Sequence, residues 1–236
     1  MIDELGVKIF ADGADLDAIL ALAADKQIAG FTTNPTLMWK AGLTDYEEFA
    51  KRLLEQITTH PISFEVFADD AAEMRRQALM ISSWGENVYV KIPVTTTKGD
   101  SMAPLVRELS ETGVKVNVTA LFTTAQVELI TGAVRDGASS YLSVFAGRIA
   151  DAGIDPVPIM ARAVNIAADA PRAELIWASP REILNVVQAD QVGCHIITLT
   201  HDMLPKLDSL GKDLDQFSLE TVRMFHRDAV AAGFKL

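Results

Sequence analysis

A lysine stands inside the run Val88-Tyr-Val-Lys-Ile-Pro-Val-Thr95, whose other residues belong in a buried strand. An unpaired buried ammonium is costly, so Lys91 must reach solvent, pair with a carboxylate, or occupy a place that wants a neutral amine. A neutral amine attacks carbonyl carbons, and desolvation beside Val90 and Ile92 favours that form. The competing reading is an ion pair with Asp12 or Glu65, each of which ends another apolar run. Those carboxylates also suit imine chemistry. One can exchange a proton with a substrate hydroxyl as a C–C bond breaks or forms, and the other can position the water gained and lost by an imine. Asp15 is different, because it directly precedes an amphipathic helix and reads as its cap.

Arg148 and Arg181 carry planar forks of donors that suit phosphate and other oxyanions. Ser179-Pro180-Arg181 stands where a helix is expected to open at Glu182, which would add backbone N–H donors for an anion. The plainer reading of each arginine is a salt-bridge partner at a helix start. His60, His195, His201 and His226 show no metal-ligand spacing, so no metal is expected. Cys194, the only cysteine, lies in an apolar run and reads as a buried structural thiol in a chain suited to a reducing cytosol. A net charge of −11 without a basic cluster argues against nucleic acid. No apolar run has the length of a membrane span and no signal pattern opens the chain, so a cytoplasmic protein without membrane contact is expected.

The elements that must position these groups repeat one alternation. Strands are expected at Val7–Ala11, Ile28–Thr32, Ile62–Phe67, Val88–Ile92, Lys115–Val118, Ser139–Ser143, Ala173–Trp177 and Gly193–Thr198. Amphipathic stretches fill the gaps, among them 15–25, 46–57, 71–83, 102–112 and 124–135. Gly113, Gly137 and Gly193 fall between helix and strand, where a left-handed cap is useful. Eight such units imply a (β/α)8 barrel, expected as a single domain over residues 1–236. An open doubly wound sheet fits less well, because Ala11-Asp-Gly-Ala-Asp15 is a poor Gly-rich fingerprint. A barrel places its chemistry at the C-terminal ends of its strands. Those ends carry Asp12, Asn34, Glu65, Lys91, Asn117 with Thr119, Phe145 with Arg148, and Ser179 with Arg181.

The stretches Gly30-Phe-Thr-Thr-Asn-Pro-Thr36, Val90-Lys-Ile-Pro-Val-Thr95, Asn117-Val-Thr119 and Val144-Phe-Ala-Gly-Arg-Ile149 resemble the transaldolases, in the same order along the chain. The resemblance implies a class I aldolase barrel without metal or organic cofactor, acting on sugar phosphates. It implies that Lys91 forms a Schiff base with a ketose, that Asp12 is the acid and base at the C4 hydroxyl, and that Glu65 and Thr119 hold the water. Asn34 and Asn117 would bind the dihydroxyacetone hydroxyls, Ser63 would line the same pocket, and Arg148, Ser179 and Arg181 would hold the phosphate. Fructose-6-phosphate aldolases are similar but carry a glutamine and a tyrosine where this chain has Glu65 and Phe145. The pair found here implies transfer of the three-carbon unit rather than its release as dihydroxyacetone.

Gly13, Pro180 and the place of Asp151 depart from the family's pattern, mostly near the anion end, so a sulfonated or differently phosphorylated sugar also fits. A barrel that binds sugar phosphate without turnover is the rival reading, and a binder needs no nucleophile. After the eighth unit, residues 217–232 read as an extra helix capped by Ser218, with an apolar stripe of Leu219, Val222, Phe225 and Ala229. It must cover a barrel end or meet another subunit. The resemblance implies a homo-oligomer, with a decamer favoured.

Overall fold

Short strands with two apolar faces need cover on both sides. The computed structural model, which describes residues 4–235, meets that need by closing the sheet. Eight parallel strands follow one another in chain order, and the last pairs back onto the first. They are β1 (Lys8–Asp12), β2 (Ile28–Thr32), β3 (Ile62–Glu65), β4 (Val88–Pro93), β5 (Val116–Leu121), β6 (Ser140–Val144), β7 (Ala173–Trp177) and β8 (Ile196–Thr200). The helices are α1 (Leu16–Leu22), α2 (Pro35–Lys40), α3 (Tyr46–Gln56), α4 (Ala71–Ser82), α5 (Ala103–Glu111), α6 (Thr124–Val134), α7 (Ala146–Asp151), α8 (Pro156–Ala167), α9 (Leu184–Gln191) and α10 (Leu214–Ala231). Residues 1–3 and 236, the ends of the span expected for the domain, lie outside the described residues.

Side chains alternate along each strand, and that alternation divides the core. Val90, Ile92, Val116 and Val118 join the large cluster beneath the helices. Phe10, Tyr89, Tyr141, Ile176 and Ile196 form a separate cluster. Within it Tyr89 stacks on Tyr141 at 4.0 Å and Phe10 meets Tyr141 edge-on at 5.6 Å. Gly30 makes room for Phe10, since a Cβ there would lie 2.6 Å from the ring. Lys91 and Asn117, out of phase with the valines beside them, share the inward face. Cys194 is buried as expected, and burial pushes its thiol up to about 12, where it is unreactive at neutral pH.

Several boundaries differ from expectation for local reasons. β8 begins at Ile196 rather than Gly193, because Gly193 takes a left-handed φ of 72° and the Cys194 N–H returns to the Ala189 carbonyl. β5 runs on to Leu121, so Thr119 lies in the strand and not in the loop after it. β3 stops at Glu65, and the Phe67 N–H turns to the Gln77 side chain. Gly137 is not among the left-handed glycines. Its need for glycine is close approach, because a Cβ would lie 1.9 Å from Ser110 Oγ. The terminal helix starts earlier than expected: Asp213 is its cap, accepting from the Gln216 N–H at 2.9 Å, and Ser218 lies inside it. No residue of α10 is buried, and Val222 and Phe225 are 59% and 64% exposed.

Candidate active site

Strand register gathers the candidate groups. Glu65, Lys91 and Asn117 align across β3, β4 and β5, while Asp12 aligns with Thr32 on β2 and Thr200 on β8. Lys91 is 7% exposed. Its Nζ donates to the Thr33 carbonyl at 2.7 Å and lies 3.3 Å from Glu65 Oε2. The lysine is therefore both buried and paired, and its partner is Glu65. Asp12 Oδ1 accepts from Thr32 Oγ1 at 2.8 Å, and Asn34 Nδ2 lies 3.5 Å from Asp12 Oδ2. Burial pushes the Asp12 carboxyl above the ordinary carboxylate range, against the pull of Lys91 and the Thr32 bond. A carboxyl raised in this way is suited to taking up and returning a proton.

These groups open onto a cavity of about 540 Å³ whose wall includes Asp12, Asn34, Glu65, Lys91, Thr119, Phe145, Arg148, Ser179 and Arg181. Asn34 is oriented by a second duty, since its Oδ1 caps α2 by accepting from the Leu37 N–H at 2.9 Å. Ser63 and Asn117 stand behind the wall, fully buried. Asn117 Nδ2 donates to Ser63 Oγ at 3.0 Å, and Ser143 Oγ donates to Asn117 Oδ1 at 2.7 Å. Ser143 does line the cavity. Sequence reasoning passed over it, as it passed over Thr32, Thr198 and Thr200, because hydroxyls within strands read as ordinary β-formers.

At the other end the Arg148 guanidinium lies 5.2 Å over the Phe145 ring. Arg181 forks onto Asp151, with its Nε 3.0 and 3.1 Å from the two carboxylate oxygens. That fork holds the Asp151 carboxyl below its ordinary range. The expected helix opening at Glu182 is not found. α9 begins at Leu184, and Asn185 Oδ1 already accepts from the N–H groups of Arg181 and Glu182 at 2.8 and 3.3 Å. Those two backbone donors are engaged within the fold, so side chains carry the positive charge here. Ser179 adopts a φ of 60°, and a Cβ on Gly147 would lie 1.5 Å from its carbonyl oxygen. Lys40, at the end of α2, also lines the cavity.

His201 was likewise missed. A Cβ on Gly13 would lie 2.3 Å from its Nε2, so the imidazole fills the space that glycine leaves beside Asp12. Among the described residues no group of three or more His, Cys, Asp and Glu side chains could hold a metal ion.

The family described as Transaldolase/Fructose-6-phosphate aldolase matches residues 9–236. The chain belongs to that family. It is similar to a "Probable transaldolase" of Thermoanaerobacter sp. (strain X514), at 37% identity over 85% of this chain and 89% of the relative. A "Probable transaldolase" of Streptococcus equi subsp. zooepidemicus (strain MGCS10565) is 36% identical over 85% of this chain and 90% of the relative. Among solved structures, dihydrodipicolinate synthase from Rhodopseudomonas palustris superposes with a TM-score of 0.55 at 16% identity, covering 84% of this chain and 70% of that one. A 2,3-dimethylmalate lyase gives a TM-score of 0.55 at 15% identity, covering 99% and 86%. These last two share the fold.

The raised Asp12 carboxyl has a signed consequence. The folded chain keeps this proton where the unfolded chain has lost it, so the group's contribution to stability falls as pH rises through the raised value. Asp12→Asn removes that titration. The melting temperature of Asp12→Asn minus that of the unaltered protein is expected to increase from about pH 4 to about pH 8. A flat difference across calorimetric scans would show that Asp12 is not raised.

Proposed function

We propose that this chain is a transaldolase that moves a dihydroxyacetone unit from a ketose phosphate, such as fructose 6-phosphate, to an aldose phosphate. The observation that carries the reading is Lys91 Nζ, buried at 3.3 Å from Glu65 in the cavity that Asp12 also lines. The Lys91 amine adds to the ketose carbonyl and the oxygen leaves as water, giving an iminium. Glu65 and Thr119 position that water. Asp12 takes the C4 hydroxyl proton, the C3–C4 electron pair moves into the iminium, and the aldose phosphate leaves behind an enamine. The enamine carbon then bonds the aldehyde carbon of the acceptor, and Asp12 returns the proton to the new hydroxyl. Water finally hydrolyses the imine.

Asn34 holds a hydroxyl of the transferred unit, while Asn117, behind the wall with Ser63, acts through Ser143, which lines the cavity. Arg148, Ser179 and Arg181 hold the phosphate. Phe145 has no hydroxyl to hold a hydrolytic water, which favours transfer over release as dihydroxyacetone. The exposed apolar residues of α10 support a homo-oligomer in which this helix meets a neighbouring subunit, and the family resemblance favours a decamer.

Borohydride with fructose 6-phosphate is expected to add the reduced donor-derived mass to Lys91. Lys91→Met is expected to lose trapping and to lower kcat by on the order of a thousandfold or more. Because Glu65 would lose its partner, Lys91→Met with Glu65→Gln serves as the folded control. Adduct on another lysine would sink the mechanism. Phe145→Tyr is expected to raise the ratio of dihydroxyacetone release to transfer, and an unchanged ratio would remove Phe145 as the discriminator. Light scattering is expected to give an oligomer for the intact chain and a monomer for one truncated after Gly211. A monomeric intact chain at micromolar concentration contradicts the assembly.

A further inference from the structure

In a parallel ladder, successive N–H groups go to alternate carbonyls of the neighbouring strand. Along the seam between β2 and β3, the Phe31 N–H donates to the Pro61 carbonyl at 2.9 Å and the Thr33 N–H to the Ser63 carbonyl at 3.2 Å. The next bond in this series would run from the Glu65 N–H to the Thr33 carbonyl. It is replaced. The Glu65 N–H donates at 2.7 Å to the phenol oxygen of Tyr46, whose own O–H faces the Glu65 carbonyl at 3.1 Å. A hydroxyl has one donor and two acceptor sites, so one phenol can serve both groups. The released Thr33 carbonyl accepts from Lys91 Nζ at 2.7 Å.

Tyr46 opens α3 and stands outside the catalytic cavity. Its ring meets Phe64, Phe67 and Trp84 edge-on at 6.1, 4.6 and 5.7 Å, so the phenol is held from behind. We infer that Tyr46 is a positioning residue for the Lys91 amine: by taking the Glu65 N–H, it frees the Thr33 carbonyl to hold Lys91 and fixes the backbone from which Glu65 reaches the same nitrogen. The catalytic consequence rests on the proposed role of Lys91 as nucleophile, whereas the exchange of hydrogen bonds does not.

Tyr46→Phe keeps the ring contacts and removes only the oxygen. Crystal structures of the unaltered chain and of Tyr46→Phe give the test that needs no substrate. The Glu65 N–H is expected to close on the Thr33 carbonyl, and Lys91 Nζ to leave it. Nζ still bonded to Thr33 in Tyr46→Phe overturns the inference. The kinetic test quenches fructose 6-phosphate reactions with borohydride and follows the adduct mass on Lys91. Tyr46→Phe is expected to slow adduct formation about tenfold or more, while Tyr89→Phe, which removes a phenol hydroxyl away from this seam, keeps the unaltered rate. A Tyr46→Phe rate within about twofold of the unaltered chain, or equal slowing by Tyr89→Phe, overturns the inference. If the unaltered chain forms no adduct, the transaldolase reading fails and the crystal structures alone decide the role of Tyr46.

Discussion

A lysine nitrogen inside an apolar barrel must find its hydrogen-bond acceptors within reach, and Lys91 sets that demand here. Both acceptors come from one seam: the Thr33 carbonyl, just past β2, and the Glu65 carboxylate, at the end of β3. A carbonyl in a complete ladder already accepts one N–H, whereas here the seam opens and Lys91 takes the ladder place on the Thr33 carbonyl. β2 stops at Thr32 and the chain turns into α2 with Asn34 as cap. That turn carries the Asn34 amide to Asp12, where its Nδ2 lies 3.5 Å from the carboxylate. The lysine, the ends of two strands and the facing of one amide thus meet at a single seam.

The rest of the cavity answers a second constraint, charge. A chain carrying a net −11 repels an anionic ligand at long range, so attraction has to be local. Arg148 and Arg181, which follow the adjacent strands β6 and β7, supply it on one wall, and Lys40 lines the cavity after β2. The fork of Arg181 onto Asp151 reduces the net charge there, and with side chains 47% and 52% exposed it adds little to stability. Its effect is geometric, because a guanidinium held by one edge keeps its plane fixed and its other edge free. The same wall holds Ser179 in a left-handed conformation above Gly147, a costly arrangement that only the absent side chain permits.

The barrel was legible because its signals agree: strands apolar on both faces, striped helices between them, and glycines at Gly113 and Gly193 with left-handed φ. The strand-end residues were legible for a related reason, since Asp12, Glu65 and Lys91 interrupt apolar alternation at positions that must face inward. Besides the strand hydroxyls and His201, what escaped were partners. Tyr46 reads as a core aromatic at a helix start, and nothing in its neighbours announces that its oxygen replaces a strand. Asn185 reads as a helical residue, yet it absorbs the N–H groups that made residues 181–182 resemble an anion cradle. Asp213 and Ser218 are equally good caps by type, and the apolar stripe pointed to the wrong one because α10 buries no face.

These cases share a physical cause. A regular parallel ladder consumes the backbone donors and acceptors between its strands, so a barrel with every ladder complete would offer a ligand only side chains. Among the described residues, the non-glycine residues with left-handed φ are Ala120 and Ser179, and both line the cavity. The β5–β6 register shifts between Val118 and Leu121, beside Thr119, and the β2–β3 ladder gives way at Glu65. The β1–β2 register also shifts, between Ile9 and Phe10, but there the Phe10, Tyr89 and Tyr141 rings pack closely. Cohesion is concentrated where the barrel is filled, and chemistry where a lapse in the ladder has been made good by a side chain such as Tyr46 or Asn34. A sequence shows the residues that make good a lapse but not the vacancy they fill, which is why the fold could be read from it more completely than the site.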